Sequence, residues 1–287
     1  MDEAANAKVG VSRRTFLTTS AAIGLGATVA TSTGVRSASA APLGTGSAMV
    51  GGGPPPPPPG CGSVNSGDFL WKSVKDATVA NPGAGNRVVE PQPQPTTAFT
   101  QLYAVRHGGD KPSSAFDQLL VPTRRISGIE CETLWQPDML NLWKYAWIEA
   151  TGVLPTAEEN IVVGVNSQKA RRLNQLHIHL SRLYAGTRKS LDGVGGLPTQ
   201  LADWTKPKAN VELAIDDPNR TSAHFRVVHL DALLPNLFAT LHQAVGAKGM
   251  AAQMIAVTKA PKGFYVISSE SGLPHGGTST CDGLFHM

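Results

Sequence analysis

The chain has 287 residues, 41% of them hydrophobic and 16% charged, with a formal net charge of +4. That length and apolar content suit one sizeable globular domain with an appendage, and they exclude a wholly disordered chain. Residues 1–40 carry four basic and two acidic residues, leaving +2 for the remainder, too weak a balance for a nucleic-acid partner and compatible with a small anionic one.

Ser12-Arg13-Arg14-Thr15-Phe16-Leu17 resembles a twin-arginine export signal, and a mildly apolar stretch to about Val35 ends in the small residues Ala38-Ser39-Ala40. This predicts a signal over residues 1–40, with an uncleaved anchor as the alternative, and a protein exported to the periplasm, cell surface or exterior. The stretch is poor in Leu and Ile for a stable transmembrane helix. Residues 41–67, rich in Gly and Ser and containing Pro54 to Pro59, read as a linker whose proline run is an extended spacer. Export permits disulfides. Three cysteines, Cys61, Cys131 and Cys281, leave at least one without a partner in the chain. A bond between Cys61 and Cys281 would tie the two ends of the mature chain together, although sequence alone does not choose the pair.

The folded domain is predicted over residues 68–287. Phe69 to Val74 has helical spacing, and residues 80–97 read as loop. Thr100 to Val105 and Phe116 to Val121 read as strands, and Ile126 to Glu130 as a turn. Asp138 to Ala150 is an amphipathic helix, in a region whose tryptophans Trp135, Trp143 and Trp147 suit core or lipid-facing packing. Ile161 to Asn166 is a strand, followed by a basic loop with Lys169, Arg171 and Arg172. Leu176 to Leu183 is the next strand. Residues 186–210 read as irregular. The last part alternates short strands at Val227-Val228, Ile255 to Val257 and Tyr265 to Ile267 with a helix from Leu233 to Val245. No internal repeat is visible. The fold class expected is α+β: an antiparallel sheet with the 138–150 helix on one face.

Gln175-Leu176-His177-Ile178-His179-Leu180-Ser181 alternates throughout. In a strand, Leu176, Ile178 and Leu180 share the core face, and Gln175, His177, His179 and Ser181 share the other, about 6.5–7 Å apart at every second residue. A row of four polar groups is costly to bury without a function. A two-strand ribbon would bring Asn166 and the Lys169–Arg172 loop to one end of this row. Imidazoles that attack or donate, an amide and a hydroxyl that bind oxygens, and cations that hold negative charge together suit a phosphate.

The row resembles the histidine-triad motif. The wider pattern of Leu119 to Glu130, Val165-Asn166-Ser167 and Asn174 to Ser181, with Leu70-Trp71-Lys72-Ser73-Val74 as its opening, resembles the CDP-diacylglycerol pyrophosphatase family over about residues 68–285. The resemblance implies a HIT-like fold and hydrolysis of CDP-diacylglycerol to CMP and phosphatidate without a metal or other cofactor. The row and the basic loop themselves offer Gln175, Asn166, Ser181, Lys169, Arg171 and Arg172 as substrate-binding residues, while the resemblance implies His177 as the nucleophile that forms a cytidylyl-histidine and His179 as the second catalytic residue. It also implies contact with a membrane surface through the lipid substrate. Many triad proteins are dimers, and this branch is a candidate for carrying both halves in one chain. The sequence departs from the family in lacking cysteines after the opening helix and after the histidine strand, and Gln175 stands where many triad proteins have histidine. Two rival readings follow from the residues alone. One is a metal-dependent hydrolase in which His224, His229 or Glu130 joins the His-x-His pair. The other is an exported nucleotide- or lipid-binding module with a degenerate site.

Overall fold

The computed structural model describes residues 61–95, 100–109, 114–233 and 236–286; the twin-arginine segment and the proline run lie outside them. Among the described residues, a nine-stranded sheet whose neighbouring strands all pair antiparallel organises the fold. The helix α1 is Phe69–Val74, and the first three strands are β1 (Arg87–Val89), β2 (Tyr103–His107) and β3 (Gln118–Pro122). After α2 (Leu142–Val153) come β4 (Ile161–Val165), β5 (Ile178–Arg182) and α3 (Ala185–Gly193). The chain closes with β6 (Asn210–Ala214), β7 (Ser222–Leu230), α4 (Leu237–Met250), β8 (Met254–Lys259) and β9 (Phe264–Ser269). The α+β expectation holds.

The spatial order is β1-β2-β3-β5-β4-β8-β9-β7-β6, and it contains a repeat that the sequence did not announce. The run β2-β3-α2-β4-β5 and the run β6-β7-α4-β8-β9 have the same order of elements. Their strands lie in the same order, β2-β3-β5-β4 and β6-β7-β9-β8. The two sets meet at the central antiparallel pair, where Val163 faces Val257. The sheet is therefore two similar halves related by an approximate two-fold axis between β4 and β8.

Alternation along the strands divides the core. Ile178 and Leu180 of β5, Val163 and Val165 of β4, Ile255 and Val257 of β8, and Val266 of β9 face one side. Helices α2 and α4 cover that side with Trp143, Ala146, Ala150, Leu237, Phe238 and Leu241, and the Trp143 and Phe238 rings meet at 5.1 Å. Trp143 and Trp147 are thus core residues. On the opposite face, α1 packs Leu70, Trp71 and Val74 on Ala104, Leu119 and Val121. Further along that face, Leu191 of α3 and the C-terminal Cys281, Leu284 and Phe285 cover Val162, Ala256, Phe225 and Ile267.

Several boundaries differ from the sequence reading. The α2 helix starts at Leu142 because the Asn141 side chain accepts the Lys144 amide at 3.4 Å and caps it. Residues 186–193, part of the stretch expected to be irregular, lie in helix α3. Their Gly, Ser and Thr content disfavours a helix, but Leu191 and Thr187 are fully buried, and the Thr187 hydroxyl donates to Ala214 O at 2.6 Å. The folded body reaches back to Cys61, inside the stretch expected to be linker. Cys61 bonds to Cys131 rather than Cys281. Cys61 and Cys131 belong to the helix-covered core, with Cα atoms 4.9 Å apart, whereas Cys281 is buried on the opposite face as a free thiol. Among the described residues, no helix is long and apolar enough to cross a membrane.

Candidate active site

Strand β5 lies between β3 and β4, with Leu119 and Gly164 both opposite His179. Leu176, Ile178 and Leu180 enter the helix-covered core, as alternation requires. His177, His179 and Ser181 point to the other face, in the gap between the α1 cluster and the C-terminal cluster. The imidazole rings of His177 and His179 are 5.0 Å apart and near perpendicular, and the His179 ring lies 5.4 Å from that of Phe285.

His177 is buried and directly held. Its Nδ1–H donates to the backbone carbonyl of Gln175 at 2.7 Å. With Nδ1 carrying the proton, Nε2 keeps its lone pair. Burial, followed by the neighbouring His179, pushes the His177 pKa down to about 4, against the raising effect of the Gln175 carbonyl. His177 is therefore a neutral, one-tautomer base at neutral pH. Burial also lowers the pKa of His179, and the charge of Asp282 opposes that shift. His179 Nε2 and Ser181 Oγ are buried without a hydrogen-bond partner among the described residues. Two such orphans beside a fixed base mark a place where a polar ligand would recover lost hydrogen bonds.

The Gln175 side chain turns away from this row. Its amide donates to Pro122 O and Arg124 O, each at 2.8 Å, and its oxygen accepts from Arg125 Nη1 at 2.9 Å and Ile126 N at 3.3 Å. All its hydrogen-bonding capacity holds the 122–126 turn, and its contribution to His177 comes through its backbone carbonyl. Residues 175–177 precede β5, so strand alternation does not govern the Gln175 side chain. Asn174 N donates to Asp68 Oδ2 at 2.6 Å, while Asp68 Oδ1 caps α1. The opening helix is thereby tied to the segment that leads into the histidines.

Asn166 follows β4 directly and is also engaged. Its oxygen accepts from Cys281 N at 2.7 Å and Thr280 Oγ1 at 3.0 Å, and its amide donates to Asp282 Oδ1 at 2.9 Å. Within the basic loop, Arg171 is buried in a two-pronged ion pair with Glu130, at 2.6 and 2.7 Å, and bonds Asn174 Oδ1 at 3.0 Å. A Cβ at Gly128 would lie 2.1 Å from Arg171 Nη1, so glycine there lets the guanidinium pass. Lys169 and Arg172 are exposed. A narrow cleft lined by Gly128, Val165, Asn166, Arg171 and His177 opens at this end of the row. The structure thus brings His177, His179, Ser181, Asn166 and Arg171 together and leaves Lys169 and Arg172 on the outer loop.

Among the described residues, none of the three candidates for a third metal ligand stands beside the pair. Glu130 is held by Arg171. His224 accepts a place next to Asn210 and His275, and His229 bonds the Lys262 carbonyl. Among the described residues, no group of three or more His, Cys, Asp and Glu is placed to hold a metal ion. Sequence reasoning missed Asp282, Cys281 and Phe285. They stand about 100 residues after β5, with no local pattern that links them to it.

Residues 65–284 match the family described as CDP-diacylglycerol pyrophosphatase. The chain belongs to this family. It is a hydrolase of the pyrophosphate bond, and its family membership implies CDP-diacylglycerol as substrate.

Proposed function

From that membership and the geometry of β5, we propose that the enzyme cleaves CDP-diacylglycerol through a covalent histidine intermediate. The observation that carries this reading is the 2.7 Å bond from His177 Nδ1–H to Gln175 O, which leaves Nε2 as a free lone pair on a ring held neutral by burial. His177 Nε2 attacks the phosphorus that bears the cytidine. The bond to the bridging oxygen breaks, phosphatidate leaves, and His179 supplies its proton. Water then attacks the cytidylyl-histidine, His179 takes a proton from that water, and CMP leaves as His177 is freed. Ser181 Oγ and the exposed Lys169 and Arg172 bind phosphate oxygens. Gln175, Asn166 and Arg171 act by holding the segments around the histidines.

The paired half-sheets support a HIT-like relationship in which one chain supplies both halves that many triad proteins assemble from two. The twin-arginine reading places the enzyme outside the cytoplasm, and the Cys61–Cys131 bond supports this because disulfides persist in oxidising compartments. There the enzyme meets its lipid substrate at a membrane surface.

The test is CMP release from CDP-diacylglycerol in detergent, with excess chelator, by the full chain and by His177→Ala. Chelator-resistant turnover that disappears in His177→Ala is expected. Turnover lost to chelator, or kept in the variant, would contradict the reading.

A further inference from the structure

The C-terminal segment 278–286 crosses the histidine face and is fastened there at several points. Leu183 bridges Phe285, and the Tyr184 amide donates to Leu284 O at 2.9 Å. A Cβ at Gly164, the residue opposite His179, would lie 3.0 Å from Cys281 Sγ and 3.2 Å from Phe285 Cζ. A side chain at that position would press on the segment, so glycine eases its close approach to the row. Phe285 in turn covers the His179 ring.

Within this segment Asp282 is held deliberately. Asn166 donates to its Oδ1 at 2.9 Å, and the Asp282 amide donates to Thr280 Oγ1 at 3.1 Å. Thr280 Oγ1 itself donates to Asn166 Oδ1 at 3.0 Å. Continuing the β4–β5 register by two residues puts Asn166 opposite His177, on the same face as the row. An exposed carboxylate is thus fixed at the edge of the imidazole pair by an amide whose oxygen is itself held by Cys281 N and Thr280 Oγ1. Burial disfavours the imidazolium of His179, and the Asp282 charge is what opposes that.

We propose that Asp282, clamped by Asn166, is a positioning residue that lets His179 carry the proton given to the departing phosphatidate oxygen. This inference rests on the roles assigned above to His177 and His179. In the first step, His177 Nε2 forms the bond to phosphorus, the bridging P–O bond breaks, and its electron pair takes the proton from His179. In the second step, water supplies the new P–O bond and returns a proton to His179. Asp282 keeps its negative charge throughout and forms no bond to substrate.

Protonating a leaving group matters in proportion to how poor that group is, which gives the test. The turnover of CDP-diacylglycerol, the methyl ester of CMP and the p-nitrophenyl ester of CMP is measured for the full chain, Asp282→Asn, Asp282→Glu and His177→Ala. Asp282→Asn should lower kcat by about tenfold on CDP-diacylglycerol, more on the methyl ester, and within about twofold on the p-nitrophenyl ester, with KM little changed. Asp282→Glu should recover most of the loss, as a variant that keeps the charge. His177→Ala separates the two ways of failing. An active His177→Ala enzyme overturns the nucleophile and this inference with it. An inactive His177→Ala enzyme, with Asp282→Asn losses equal on all three esters or absent on all, overturns this inference alone.

Discussion

The two half-sheets share topology and differ in what one face of one strand carries. On β5 and the residue before it, the face away from α2 and α4 shows His177, His179 and Ser181. The same face of β9 shows Tyr265 and Ile267, packed with Met254, Ala256 and Phe225 under α3 and the C-terminal segment. On this face the first half has orphaned buried polar atoms and a fixed imidazole, and the second has an apolar layer. The lesson is that the backbone supplies two equivalent platforms while chemistry belongs to the side chains placed on one of them. The unequal filling also explains how the polar row is tolerated, since the apolar half and the helix-covered core stabilise a sheet that holds costly polar groups elsewhere.

The largest expected effect that would sharpen this contrast is at His177. His177→Ala should lower kcat by at least about a thousandfold, whereas Tyr265→Phe should leave it within about twofold. Parallel kcat measurements check this, and a comparable loss in Tyr265→Phe would break the contrast. Next is Ile267→His, which places an imidazole on the apolar platform. It should destabilise the protein by about 2–4 kcal/mol in denaturant melts without adding turnover, and a gain in activity would mean that the second half retains catalytic competence.

Gln175→Ala comes third, because it strands the Pro122 and Arg124 carbonyls. A loss of about 2–3 kcal/mol is expected in thermal or denaturant unfolding, with the kcat of the folded fraction falling less than in His177→Ala. An equal or larger kcat loss would place the amide in the chemistry itself.

The last effect, small at neutral pH, is on pH dependence. His177 titrates near 4 when folded and near 6.5 ordinarily, so the unfolded chain takes up this proton first as pH falls. The stability from this site is complete above about pH 6.5 and is lost as pH falls toward about 4, on the order of 3 kcal/mol in all. His177→Ala should remove that slope. The acid limb of kcat/KM should lie near pH 4 rather than 6.5.

Much of this was legible in the sequence because it follows from period. Alternation from Leu176 to Leu180 fixed which residues enter the core, and the helical spacing over Asp138 to Ala150 announced α2, although its start was set four residues too early. Other features depended on tertiary contacts that a local pattern does not encode. Helix α3 forms against its own propensities because Leu191 and Thr187 are buried. The repeat left no trace in sequence because the equivalent faces of β5 and β9 are filled with unlike side chains. Gln175 falls in phase with the histidines, yet its side chain leaves the row because the segment before β5 turns with residues 122–126. The Asn166–Asp282 clamp joins residues 116 apart.

The central claim is that His177 bonds to phosphorus during turnover. The most direct measurement is a rapid acid-free quench of the enzyme turning over CDP-diacylglycerol labelled in the cytidine phosphate, followed by mapping of the label on the chain. The account predicts labelled cytidylate on His177, formed as phosphatidate is released and absent in His177→Ala. Release of CMP and phosphatidate in step, with no label on the protein at any time point, would contradict it.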